Sequence, residues 1–205
     1  MTLFCSVDIE TTGLDPTHSD VLEIGAVIDL TQDPYSDETR AEFHCYVVED
    51  LYQGEPSALA MHPTIFKRIA NKEEPYAYYS PAEAIFRFST WLVENWKAAS
   101  ERPVLFAGKN FAQFDLPFLQ AMPAFNESIQ YEHGVLDPGP LFLDPEKDSK
   151  IPNTMTCCVR AGITYFDGHT ALDDAMQVRR LIQQYYSKKS NRGWIWPKRR
   201  KTGTR

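Results

Sequence analysis

A short apolar run, Leu3-Phe4-Cys5-Ser6-Val7, leads directly into Asp8-Ile9-Glu10, and this junction constrains the chain more than any other stretch. The run reads as a buried strand. Asp8 and Glu10 are two residues apart, so on that strand both carboxylates leave the same face. Like charges held together in a half-buried site repel, and the site favours uptake of a proton or a cation. A bound divalent metal turns this costly pairing into a stable one. The rest of the chain then has to supply the remaining parts of such a site.

The pattern after the junction is that of a mixed α/β sheet domain. Gly13 to Thr17 is a turn, and Val21 to Leu30 reads as a second strand with Gly25 inside it. Ala41 to Val48 reads as a third, joined through a polar turn at Gln32 to Glu38, which predicts an antiparallel meander. Ser57 to Ala70 reads as a short helix or two half-helices, because Pro63 interrupts it. Pro81 to Trp96 is the clearest helix, with Ile85, Phe88, Trp91, Leu92 and Trp96 at helical spacing. Pro103 to Ala107 reads as a buried strand, followed by Gly108-Lys109-Asn110 and a helix over Gln113 to Gln120. Gln130 to Lys150 is rich in Asp, Pro and Gly and reads mostly as loop. Asn153 to Ala161 and His169 to Tyr186 read as helices, the last with an apolar stripe from Leu172 to Tyr185.

With 205 residues and 43% apolar content the chain can bury one good core, and one domain is the default. No apolar run reaches membrane-spanning length and no secretory leader pattern opens the chain, so a soluble, cytoplasmic protein is expected. Cys5, Cys45, Cys157 and Cys158 form no C-x-x-C pair and read as reduced thiols. Charge is uneven. The segment from Lys188 to Arg205 has eight basic residues and no acidic one, against thirteen basic and twenty-eight acidic residues in the rest. Such a tail has three readings: a solvated flexible end, a nucleic-acid contact with Trp194 and Trp196 as stacking groups, or a tether for a homodimer or protein partner. The first is slightly favoured.

Taken singly, the other acidic residues have bland explanations. Asp115 at a helix start reads as a cap, Asp173-Asp174 as a solvated pair, and His169 as a surface or core histidine. Taken in order they form a series: Asp-x-Glu on the first strand, an Asp after a central strand, and His-x-x-x-x-Asp at the last helix. That series resembles the DEDD superfamily of 3′→5′ exonucleases in its histidine branch (DEDDh), which includes the proofreading subunit of bacterial replicative polymerase, oligoribonuclease, RNase T and the TREX exonucleases. The resemblance is densest over Asp8-Ile9-Glu10-Thr11-Thr12-Gly13 and continues in Glu23 to Val27, Asn110 to Leu119 and His169 to Ala175. It spans residues 1 to about 185. The His-to-Asp spacing selects Asp174 over Asp173, and Thr170 stands where the tyrosine branch has its tyrosine.

The resemblance implies an RNase H-like α/β fold, a mixed five-stranded sheet flanked by helices, with an exonuclease domain over residues 1–187 and the basic tail over 188–205. It implies that Asp8, Glu10, Asp115 and Asp174 bind two Mg²⁺ ions, with Mn²⁺ a substitute, and that His169 is the general base. It further implies substrate contacts at Thr11, Thr12, Leu14, Met61, His62 and Asn110. The activity expected is release of nucleoside 5′-monophosphates from single-stranded 3′ ends, DNA slightly favoured over RNA. An acidic body suits a short, end-directed grip better than the wrapping of long nucleic acid. The alternative is a nucleic-acid-binding or assembly subunit with a vestigial nuclease site, against which the complete five-residue set speaks. A structural domain with incidental acids is remote.

Overall fold

Alternation along the first strand decides how the layers assemble. The computed structural model describes residues 2–31, 41–96, 100–166 and 170–191. In β1 (Leu3–Thr11), Cys5, Val7 and Ile9 face one layer, while Phe4 and Ser6 face the other. Asp8 and Glu10 continue the second set, so the period of two carries both acids onto that face.

β1 pairs antiparallel with β2 (Val21–Leu30), and β2 with β3 (Ala41–Val47), as the meander reading expects. The expected turn at Gln32 to Glu38 lies outside the described residues. Two short parallel edges complete the sheet: β4 (Tyr78–Tyr79) beside β3, and β5 (Phe106–Ala107) beside β1, in the order β4-β3-β2-β1-β5. β5 is shorter than the apolar run Pro103 to Ala107 suggests, because Val104 bridges to Tyr131 instead.

Pro63 does split the helical stretch, into α1 (Pro56–Met61) and α2 (Pro63–Asn71). α3 (Pro81–Trp96) buries Ala84, Ile85, Phe88, Leu92 and Trp96 against the Cys5/Val7/Ile9 face. α4 starts at Asp115 (Asp115–Ala121), two residues later than the periodicity suggests. Asn110 takes a left-handed conformation, and its carbonyl accepts from the Gln113 and Phe114 amides in a turn of its own. A short helix α5 (Phe125–Ser128) follows α4, and another, α6 (Pro138–Leu141), interrupts the segment Gln130 to Lys150 read mostly as loop. α7 (Thr154–Ala161) follows, and its buried Cys157 and Cys158 join Leu181 in a small core. All four cysteines are buried and free.

α8 (Ala171–Asn191) covers the acidic face and is fixed at its start and along its middle. At its start it lies on Gly25, the register partner of Asp8, where any Cβ would collide with the Ala171 carbonyl and the Leu172 amide. Ser6 Oγ donates to the Ala175 carbonyl at 2.8 Å. Further along, Arg179 Nε donates to Asp29 Oδ2 at 2.6 Å, and Gln183 donates to the Leu30 carbonyl. Among the described residues, no helix is long and apolar enough to cross a membrane.

Candidate metal centre

Three elements converge on the acidic face. Asp8 and Glu10 come from β1, Asp174 from the first turn of α8 and Asp115 from the first turn of α4. Thr170 caps the start of α8: its Oγ1 accepts from the Asp173 amide at 3.1 Å and donates to Asp173 Oδ2 at 2.6 Å. Asp173 is exposed and engaged with the helix end, and the next residue, Asp174, faces the strand. Carboxylate oxygens of Asp8, Glu10 and Asp174 lie within 4.8 Å of one another.

Asp115 reaches the strand by another route. β5 pairs with β1 only at Cys5 and Ser6, and the Ile9 amide lies beyond that pairing. Asp115 Oδ1 accepts from it at 3.2 Å. The helix N-cap is Phe114, with no side-chain cap bond, so Asp115 is not the cap of α4. It is buried (3% exposed) and stands outside the close trio, although its charge acts on Asp8.

The electrostatics follow from this crowding. Burial, then the charges of Asp115, Asp174, Glu10 and Glu23, push Asp8 well above the usual carboxylate range. Burial and the charges of Glu23, Asp174 and Asp115 push Glu10 up to about 7. Burial pushes Asp115 up to about 7, and the hydrogen bonds from its own amide and that of Ile9 only partly oppose it. Among the described residues neither Asp8 nor Glu10 has a lysine or arginine partner. The basic group beside Glu10 is His62, whose Nε2 lies 3.7 Å from Glu10 Oε2. A set of hard oxygen donors held close, short of positive charge, fits a divalent cation of the Mg²⁺ type.

The expected substrate residues divide into three kinds. Leu14 (74% exposed) and Met61 (71% exposed) stand on the rim with their side chains in solvent. Thr11 and Thr12 are buried, and their hydroxyls are engaged with the loop itself: Thr11 Oγ1 donates to the Gly13 carbonyl at 2.7 Å, and Thr12 Oγ1 accepts from the Asp20 amide at 2.7 Å while donating to the Gln53 carbonyl. His62 lies against Glu10. Asn110 is exposed, with its amide held by Asp137 Oδ2 at 3.0 Å. His169 and the turn Asp167-Gly168 expected to carry it lie outside the described residues, two positions before α8 begins.

Two residues at the site had no role in the sequence reading. Glu23 and His44 sit beside Glu10 on β2 and β3, with Glu23 Oε1 2.5 Å from His44 Nε2. The signal was there: Glu23 is an acid inside Val21 to Leu30, a strand buried along almost its whole length.

No family model matches the sequence, and a search of curated proteins finds no match. Among solved structures, the nuclease domain of 3'hExo, a DEDDh family member, bound to rAMP, superposes with a TM-score of 0.59. The match has 14% identity and covers 93% of this chain and 92% of that one. At that identity the likeness establishes the fold: RNase H-like α/β, a mixed five-stranded sheet flanked by helices.

Proposed function

We propose that the chain is a metal-dependent 3′→5′ exonuclease releasing nucleoside 5′-monophosphates from single-stranded nucleic acid. The observation that carries this reading is the trio Asp8, Glu10 and Asp174, its oxygens within 4.8 Å, with buried Asp115 hydrogen-bonded to the same strand. Asp8, Glu10 and Asp174 would hold one divalent ion, and Asp8 with Asp115 a second, Mg²⁺ being the expected ion and Mn²⁺ a substitute. A bound pair of this kind stabilises the attacking and leaving oxygens of an in-line displacement.

The chain's own groups do the rest. His169 accepts the proton of the attacking water, a role that an imidazole can play at neutral pH. Exposed Leu14 and Met61 offer apolar surfaces to the terminal bases, a contact that tolerates any sequence. The bond broken joins phosphorus to the 3′-oxygen of the penultimate nucleotide, so the phosphate leaves with the terminal one. The solved neighbour was seen bound to rAMP, a mononucleotide of the kind such a reaction would release. Residues 1–187 would form the catalytic unit and 188–205 an appended basic tail. The acidic centre does not choose between DNA and RNA, because phosphate chemistry is common to both; a group against the 2′ position would choose.

The test is a side-by-side digestion of matched single-stranded DNA, duplex DNA, RNA and dinucleotides with Mg²⁺ or Mn²⁺. Mononucleotides should accumulate from single strands, with DNA cut slightly faster than RNA, and chelator or Asp8→Ala should stop release. Full activity in excess chelator, or in folded Asp8→Ala protein, would sink the proposal.

A further inference from the structure

A fifth carboxylate lies beside the trio. Glu23 is the register partner of Glu10 across β1 and β2, and its side chain is fully buried. One oxygen, Oε1, is held by His44 Nε2 at 2.5 Å. The other, Oε2, is buried and has no hydrogen-bond partner among the described residues. A buried carboxylate oxygen left unsatisfied is unfavourable, and side chains of similar shape without the charge exist. The other buried acid of β2 shows how the fold neutralises one for stability alone: Asp29 is met by Arg179 from α8. Among the described residues Glu23 has a half-buried histidine, on one oxygen. Its charge is nevertheless felt across the sheet. It is the largest of the neighbouring charges acting on Glu10, and it reaches Asp8 as well.

We propose that Glu23 is a positioning residue of the metal centre: Oε2 accepts a hydrogen from a water carried by the divalent ion at Asp8, Glu10 and Asp174, and His44 holds the carboxylate in that pose. Oε2 then gains the donor that the protein does not provide, and the added negative charge strengthens cation binding without occupying a ligand position. Outer partners of this kind orient bound water and tune metal affinity. The inference rests on the reading of the trio as a metal site.

The experiment is calorimetric titration of metal-free protein with Mg²⁺ and Mn²⁺, in wild type, Glu23→Gln, His44→Phe and Asp8→Asn, with thermal melting of each metal-free protein. Glu23→Gln keeps the shape and removes the charge. It should weaken metal binding about tenfold or more, with a melting temperature equal to or above that of wild type. His44→Phe keeps a ring beside Tyr46 and Tyr76 but releases Oε1, and should give a smaller loss. Wild-type affinity in Glu23→Gln overturns the proposal. If that variant fails to fold, wild-type affinity in His44→Phe overturns it equally. A wild-type protein that binds neither ion, like Asp8→Asn, overturns the metal reading itself. That outcome is distinct from one in which wild type binds and Glu23→Gln binds as well.

Discussion

The two ends of the contact between α8 and the sheet treat buried charge in opposite ways. At the far end Asp29 on β2 and Arg179 on α8 are both buried and meet at 2.6 Å, with Gln183 bonded nearby to the Leu30 carbonyl. At the near end Asp8, Glu10, Glu23 and Asp174 gather around the first turn of the same helix, and Asp8, Glu10 and Glu23 have no lysine or arginine partner among the described residues. The same two strands and one helix build both. The far end supplies its own counter-charge and serves as an anchor. The near end is held in place by that anchor, by Gly25 and by Ser6, and depends on a cation from outside.

Removing a charge should therefore have opposite consequences at the two ends. Asp8→Asn relieves repulsion, so the metal-free protein should melt at the same or a higher temperature. It also removes a ligand shared by both proposed metal ions, worth several kcal/mol in the transition state, so release of mononucleotides should fall by about a thousandfold or more. Paired melting and digestion assays check this; a large loss of stability would mean that Asp8 holds the fold. Arg179→Met strands the Asp29 carboxylate in the core and should cost about 3–5 kcal/mol by denaturant unfolding. The double change Asp29→Leu with Arg179→Met should recover most of it. A double variant as unstable as the single one would show that the pair does more than neutralise itself.

Gly25 connects the two ends, because it fixes where α8 begins. A methyl group there has to displace the Ala171–Leu172 backbone rather than a flexible side chain. Gly25→Ala should cost about 1–3 kcal/mol, the usual range for overpacking. Its effect on turnover should exceed its effect on substrate affinity, since Asp174 moves with the helix while the Leu14 and Met61 rim does not. Equal losses in kcat and 1/KM would place the damage elsewhere.

Much of this was legible in the residues. The meander, the split at Pro63 and the helix Pro81–Trp96 follow from local pattern, and alternation in β1 places Asp8 and Glu10 together. Asp173 and Asp174 could also have been separated by local chemistry, because Thr170 three residues before Asp173 is placed to cap the helix and engage the first acid, which leaves the second for the sheet. What could not be read locally depends on pairing register. Glu23 opposes Glu10 only because β2 turns back with one irregularity at Glu10/Thr11, and Asp115 bonds to Ile9 only because β5 stops after two residues. β4 was missed for a related reason. Two tyrosines carry no strand period, and their place is set by β3 beside them.

Titration gives the gentlest way to tell the ends apart. Glu10 and Asp115 are both pushed up to about 7 in the folded protein, from ordinary values near 4.5 and 3.8. Groups with raised values bind protons more tightly when folded, so their contribution is full below the unfolded values and is lost as pH rises through 7. For each extra proton that the folded cluster holds, stability falls by about 1.4 kcal/mol per pH unit across that window. In chelator the melting temperature should decline from pH 5 to pH 8. The carboxylates held low, Asp15 and Asp148 at about 2, do not titrate there and cannot mask the trend. Mg²⁺ competes with those protons, so the stabilisation it gives should grow over the same interval. Asp174→Asn should flatten the chelator profile, because the Asp174 charge raises both Glu10 and Asp115, whereas the Asp29→Leu, Arg179→Met double variant should leave its slope unchanged. A flat wild-type profile in chelator would mean that the near end finds its counter-charge within the protein, and the contrast between the two ends of α8 would be lost.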